Sequence, residues 1–126
     1  MAKLGRYAAD RKKVEAVTAD KTVEVSDCGT LFIVTGARTL TLPTATAAGK
    51  GWWVRIIKGD SAAAAVSITA TSTLGGPAVD GDDVETLVND CTIASGAPVG
   101  SFIEICSDGT RYYAFGMSAA DAGITE

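Results

Sequence analysis

From about Val14 onward, apolar and polar residues alternate with period two, and turn-forming residues interrupt the alternation every few positions. That rhythm predicts short strands, because successive side chains of a strand point to opposite faces. Val14–Ala19 and Thr22–Val25 are β-rich and flank a charged break at Asp20-Lys21. Thr30–Thr35 is a mostly apolar run, the pattern of a strand buried on both faces. Arg38–Leu42 alternates cleanly, with Leu40 and Leu42 on one face and Thr39 and Thr41 on the other. Pro43 closes that strand, since proline donates nothing to a ladder. One helical turn is expected within residues 44–50, ended by Gly49 and Gly51. Trp52–Lys58 and Ala65–Ala70 continue as strands, whereas residues 71–83, with Gly75-Gly76-Pro77 and Asp80-Gly81-Asp82-Asp83, read as turns. After short strands at Glu85–Val88 and Cys91–Ser95, Ser101–Cys106 and Arg111–Phe115 flank Ser107-Asp108-Gly109-Thr110. An Asp-Gly pair suits the positive φ angles of a tight hairpin.

Some nine or ten short strands with almost no helix predict an all-β domain, an antiparallel sandwich, a jelly roll or a small barrel. The chain divides into a basic arm over residues 1–13, a β domain over 14–116, and a small polar tail over 117–126 expected to be extended or mobile. At 126 residues it is one domain, able to bury about two-thirds of its unfolded surface without disulfide or metal staples.

Composition removes most chemistry. Histidine is absent, which excludes His-based triads, His-ligated zinc and the usual near-neutral proton shuttle. Cys28, Cys91 and Cys106 are odd in number and widely spaced, so buried structural thiols in a reducing compartment are expected. Asp80, Asp82 and Asp83 resemble half of a calcium loop, but Glu85 comes too early to close it, which leaves an acidic surface turn. Glu104 shares a strand face with Phe102 and Cys106; with no second carboxylate placed for hydrolysis, it is expected to pair with Arg38, Arg55 or Arg111. GxSxG, Walker A, HExxH and GxGxxG are all missing, so neither catalysis nor a metal nor a cofactor is expected. Nor is a membrane partner: the N-terminus has no apolar signal core, and the apolar runs fall far short of the ~20 residues a span needs.

Charge adds an asymmetry. Residues 1–21 hold six basic and three acidic residues, a net +3, while the remaining five basic and twelve acidic residues give −7. A basic arm ahead of an acidic body implies a partner for the arm, with Lys3, Arg6, Tyr7, Arg11, Lys12 and Lys13 as contact residues. Nucleic acid is not expected: the cluster is short, the body is acidic, and Tyr7 is the arm's only aromatic, so no stacking platform forms. One strand carries a second asymmetry. In Trp52–Ile57 both faces are largely apolar, one with Trp52, Val54 and Ile56, the other with Trp53, Arg55 and Ile57. Either a subunit seam uses Trp52, Trp53 and Arg55, or a loop of the same chain covers a central strand.

The run Thr39–Trp52 (TLTLPTATAAGKGW) resembles a pattern of small β proteins of tailed bacteriophages, in which a strand ending Leu-Pro is followed by a small-residue turn, a Gly and a strand with an aromatic start. Arg55-Ile56-Ile57-Lys58, Val66-Ser67-Ile68-Thr69 and Asp108-Gly109-Thr110-Arg111-Tyr112-Tyr113 extend the likeness over residues 22–116. It implies a capsid decoration (cement) protein, a compact β-tulip-like domain bound as a homotrimer to the major capsid protein on the virion exterior at local three-fold positions. Such a protein is made in the host cytoplasm and stabilises the head against internal DNA pressure. The alternative implied is a β module of a tail fibre or baseplate that binds a host receptor or glycan. A 126-residue chain with its own Met, a basic arm and no fibrous shaft favours decoration.

Overall fold

A computed structural model describes residues 12–61, 63–81, 83–120 and 122–125. Among these, β1 (Lys13–Val17), β3 (Thr30–Val34), β5 (Lys50–Lys58), β7 (Leu74–Asp80), β8 (Asp83–Leu87), β10 (Phe102–Asp108) and β11 (Tyr112–Ser118) form the larger sheet, in the order β1-β3-β5-β10-β11-β7-β8. The smaller sheet is β12-β9-β6-β4-β2, built from β2 (Lys21–Thr22), β4 (Arg38–Thr41), β6 (Val66–Thr69), β9 (Asp90–Ile93) and β12 (Ile124–Thr125). The all-β class follows from the alternation of the sequence. The sheets are mixed, however, and not antiparallel as expected: five of the ten described pairings are parallel.

Four of the five parallel pairings come from one manoeuvre, and the fifth joins β7 to β11. From β1 to β6 the chain alternates between the sheets, so β1, β3 and β5 lie side by side in parallel, and β2, β4 and β6 do the same opposite. From β5 onward the larger sheet adds antiparallel neighbours, β10 on β5 and β11 on β10. The inward faces supply one core: Phe32, Val54, Ile56, Ile103 and Ile105 from the larger sheet, Leu40, Val66, Ile68 and Ile93 from the smaller.

The first rung of the winding is closed by charge. Lys13 and Glu15 alternate with the outward Val14 and Ala16, and so take the inward positions that later rungs give to apolar residues. Lys21 Nζ lies 3.0 Å from Glu15 and 3.7 Å from the buried Asp27, whose carboxylate also faces Lys13 at 3.9 Å. Hydrogen bonding to Glu15 raises the Lys21 pKa, against a smaller opposing effect of burial. Inward charges on an edge strand discourage another strand from adding there.

The Leu-Pro turn is the best-anchored crossing. Thr44 Oγ1 accepts from Ala47 N at 3.2 Å and caps the short helix α1 (Ala45–Ala48). The Tyr112 hydroxyl donates to the Pro43 carbonyl, Ser107 Oγ to the Ala45 carbonyl, and Ala45 N donates to Ser72 Oγ. The hairpin at 107–110 forms as expected, with Asp108 Oδ1 accepting from the backbone of Thr110 and Arg111 at 2.8 Å each. Those bonds hold the exposed Asp108 carboxyl below its usual pKa.

Two segments depart from expectation. Residues 74–80 are a strand, although Gly75-Gly76-Pro77 reads as a turn. The glycine is there for close approach, since a Cβ on Gly76 would fall 1.7 Å from the Ala114 carbonyl of β11. Within the expected acidic turn, Asp80 is buried, its Oδ2 accepting from Ile124 N at 3.5 Å, while Asp82 lies outside the described residues. The tail is likewise part of the fold. Strand β11 runs through Met117 to Ser118, and β12 returns to pair with β9 and buries Ile124 completely. Ile124→Ala should therefore cost about 2–5 kcal/mol, as a fully buried large-to-small change does. A urea titration checks this, and a loss within experimental error would show that β12 does not hold the fold.

Candidate functional site

The outward face of the larger sheet is apolar from edge to edge. Strand register aligns Ala16, Ile33, Ile57, Phe102, Met117, Val79 and Val84 in one row across the sheet. Phe115, Leu31 and Val14 lie in the next row, interrupted at its middle by Arg55 and Glu104. Trp53, Cys106 and Tyr113 make a third. Val84 is 71% exposed, Val14 61%, Tyr113 48%, Met117 45% and Phe115 41%. A solvated sheet face should be polar; this one is not.

Its polar groups are paired among themselves. Arg55 is the partner of Glu104, with Nη2 at 2.6 Å and Nε at 3.2 Å from Oε2. The Arg55 guanidinium also lies 4.8 Å from the Phe102 ring centre, and Phe102 meets Phe115 at 6.2 Å. Lys12 Nζ stands 5.3 Å over Trp53, and Arg111 lies 5.0 Å from Tyr113. Three of the four outward rings thus carry a cation of the same chain. At one end, Pro98, Val99, Phe102, Met117 and Ala119 line a shallow recess of about 230 Å³.

The opposite exterior differs. On the smaller sheet, register aligns Thr39, Ser67, Thr92 and Thr125 in one row and Thr22, Thr41, Thr69 and Asp90 in another. All described aromatic residues belong to strands of the larger sheet.

Of the expected seam residues, Trp53 and Arg55 lie on the apolar face, and Trp52 does not. Trp52 is 3% exposed; its Nε1 donates to the Val25 carbonyl at 2.9 Å and its ring meets Tyr112 at 5.9 Å. Alternation puts adjacent residues on opposite faces, so only one of the two tryptophans can face outward. Of the expected arm residues, Lys3, Arg6, Tyr7 and Arg11 lie outside the described residues, Lys12 rests on Trp53, and Lys13 opens β1. Phe102, Tyr113, Phe115, Met117, Val79 and Val84 were not foreseen on this face. The period-two run Tyr113, Phe115, Met117 was the available signal, hidden by assigning Met117 to the tail.

The thiols also depart from expectation: Cys91 is buried, but Cys28 and Cys106 are exposed. Among the described residues no group of three His, Cys, Asp or Glu side chains could hold a metal, and no helix is long and apolar enough to cross a membrane. No family model, curated protein or solved structure matches the chain.

Burial pushes the Cys91 thiol up to about 12 from 9.0 and the Tyr112 hydroxyl up to about 12 from 10.0. Both groups are acids kept neutral by the fold, so the unfolded chain loses its protons first and stability falls as pH rises from about 9 toward about 12. Cys91→Ala should flatten the first part of that decline, read by urea unfolding at pH 8, 9 and 10. An aromatic disulfide reagent near neutral pH should titrate Cys28 and Cys106 in the native protein and reach Cys91 only after denaturation. Three fast thiols in the native state would contradict the burial of Cys91.

Proposed function

We propose that this chain is a non-catalytic structural protein of a tailed-phage particle, bound outside the head to the major capsid protein as a clamp on the lattice. The observation that carries this reading is the apolar outer face of the larger sheet, from Ala16 on β1 to Val84 on β8. A chain with such a face is made to be covered by another protein surface. The hydroxyl-lined opposite face suits the side turned to water. The sequence likeness over residues 22–116 supplies the phage context, and the basic arm supplies the capsid contact.

Reinforcement then needs no chemistry. A protein that binds the assembled lattice and not its separated subunits stabilises the lattice by mass action. A homotrimer at a local three-fold position engages three equal contacts at once, so weak contacts add through effective concentration.

A second reading, a β module of a tail fibre or baseplate, is favoured by the parallel winding of β1 to β6. The Lys13, Glu15, Lys21 and Asp27 cluster at its open end argues against a shaft stacked there.

Capsids prepared without this protein should release their DNA at lower temperature than capsids to which it has been added back. Removing residues 1–11 should abolish that protection and attachment to capsids while leaving the melting temperature of the isolated protein unchanged. Unaltered heads together with lost adsorption to cells would establish the tail reading instead.

A further inference from the structure

We infer that the buried Asp80 carboxylate and Asp83 across the ladder from it hold a calcium ion at the turn of the β7–β8 hairpin. The other shielded carboxylates of this chain set the comparison. Asp27, 6% exposed, faces Lys21 and Lys13, Glu104 has Arg55, and Asp60 lies 3.6 Å from Lys58. Asp80 is 0% exposed, and among the described residues no lysine or arginine forms an ion pair with it. Its Oδ2 accepts from Ile124 N at a long 3.5 Å, and its Oδ1 is buried with no hydrogen-bond partner. A carboxylate withdrawn from water to this degree is stable when it is paired or bound to a metal.

No side chain nearby supplies the positive charge. Residues 59–110 contain eight acidic residues and no lysine or arginine, and β11 and β12, which flank Asp80, have none either. Register adds a second negative group. Asp83 is the direct partner of Asp80 on β8, and direct partners point to the same face of a sheet. Like charges so placed repel. A cation between them removes the repulsion and turns both carboxylates into ligands.

The donors select the ion. They are oxygens: the two carboxylates, the backbone carbonyls of the turn, and the Ser118 hydroxyl beside Asp80 on β11. Oxygen donors suit a hard cation, and the chain has no histidine to favour zinc or copper. Calcium accepts about six to eight oxygens in irregular geometry, with carbonyls and water completing the shell, whereas magnesium demands a near-ideal octahedron. Two carboxylates give a weak site, with a dissociation constant of about 0.1–1 mM. The ion has a way in, because Asp83 is exposed on the edge strand β8 while Asp80 closes the inner side. By fixing Asp80 it also steadies the bond to Ile124, and with it the docking of β12.

Calcium binding here is independent of what the chain attaches to, so purified full-length protein tests it. After treatment with EDTA and removal of the chelator, calcium chloride up to about 5 mM at pH 7 should raise the melting temperature by about 3–10 °C. The same concentration of magnesium should raise it less, and calorimetric titration should count a single calcium per chain. Asp83→Asn should weaken binding about tenfold. It should leave the calcium-free protein as stable as before or more so, because it removes a repulsion at an exposed position. Asp80→Asn should abolish binding; should that chain fail to fold, Asp83→Asn carries the test. A wild-type protein whose melting temperature and titration heat ignore calcium to about 5 mM overturns the inference, and the Asp80 carboxylate is then merely tolerated in the core. An Asp83→Asn chain that binds calcium as tightly as wild type overturns it too, since the ion then sits elsewhere.

Discussion

Strand β5 joins two different ways of building a sheet, and the rest of the molecule is arranged around it. On one side it continues a parallel ladder from β3, with Thr30 beside Val54 and Val34 beside Lys58. On the other it accepts β10 antiparallel, with Ile103 opposite Ile56 and Ile105 opposite Val54. Its inward residues Trp52, Val54 and Ile56 are buried in the core. Its outward residues begin the exposed apolar surface. A slip of one residue in either pairing would exchange Trp52 for Trp53 and bring Arg55 inward. The hydrogen bond from Trp52 to the Val25 carbonyl and the contact of its ring with Tyr112 resist that slip, because each requires Trp52 on the inner side.

The same strand explains how much of the fold local sequence could disclose. Leu40, Leu42 and Pro43 mark a strand that ends, and Asp108-Gly109 marks a hairpin, because turn chemistry lies within a few residues. Parallel pairing has no such local mark. Thr30 and Val54 are adjacent in space and 24 positions apart, joined through a strand of the other sheet. Antiparallel order was therefore the natural expectation, and it fails for β1 to β6 and again where β7 joins β11. Strand β7 was missed for a related reason. Gly76 serves the backbone of β11, which is distant in sequence, and a glycine required by tertiary contact looks the same as one required by a turn. The pair β12 was lost because two residues hold too little pattern to register.

Of the candidate site, the half contributed by β5 was legible and the half contributed by β10 and β11 was not. An apolar second face on Trp52–Ile57 is visible in one segment. Continuity with Phe102, Phe115 and Met117 depends on strand order, which no single segment contains. The Arg55–Glu104 pair occupies the middle ground: charge logic reduced the partners of Glu104 to three arginines, and register selected one. Its value to stability is small, of order 0–1 kcal/mol, since both side chains are about one-third exposed. Its importance is that it brings no net charge to the middle of a surface that is otherwise apolar.

The contrast between the two exteriors then follows from pairing rules. Both sheets obey the same alternation, so nothing in the fold demands that one outer face carry Thr39, Ser67 and Thr92 while the other carries Ile57, Phe102 and Met117. A hydroxyl row on both faces would satisfy the same ladders, at no loss to the core. An open apolar face favours unwanted association, and a sequence that keeps one across a whole sheet must also manage its edges. This chain does so at β1, where Lys13 and Glu15 point into an ion-pair cluster that no added strand could bury without unpairing it. Growth at the β1 edge is thereby opposed, while the apolar face itself carries no such guard. The proposal of a protein partner starts from that combination of a guarded edge and an unguarded apolar face.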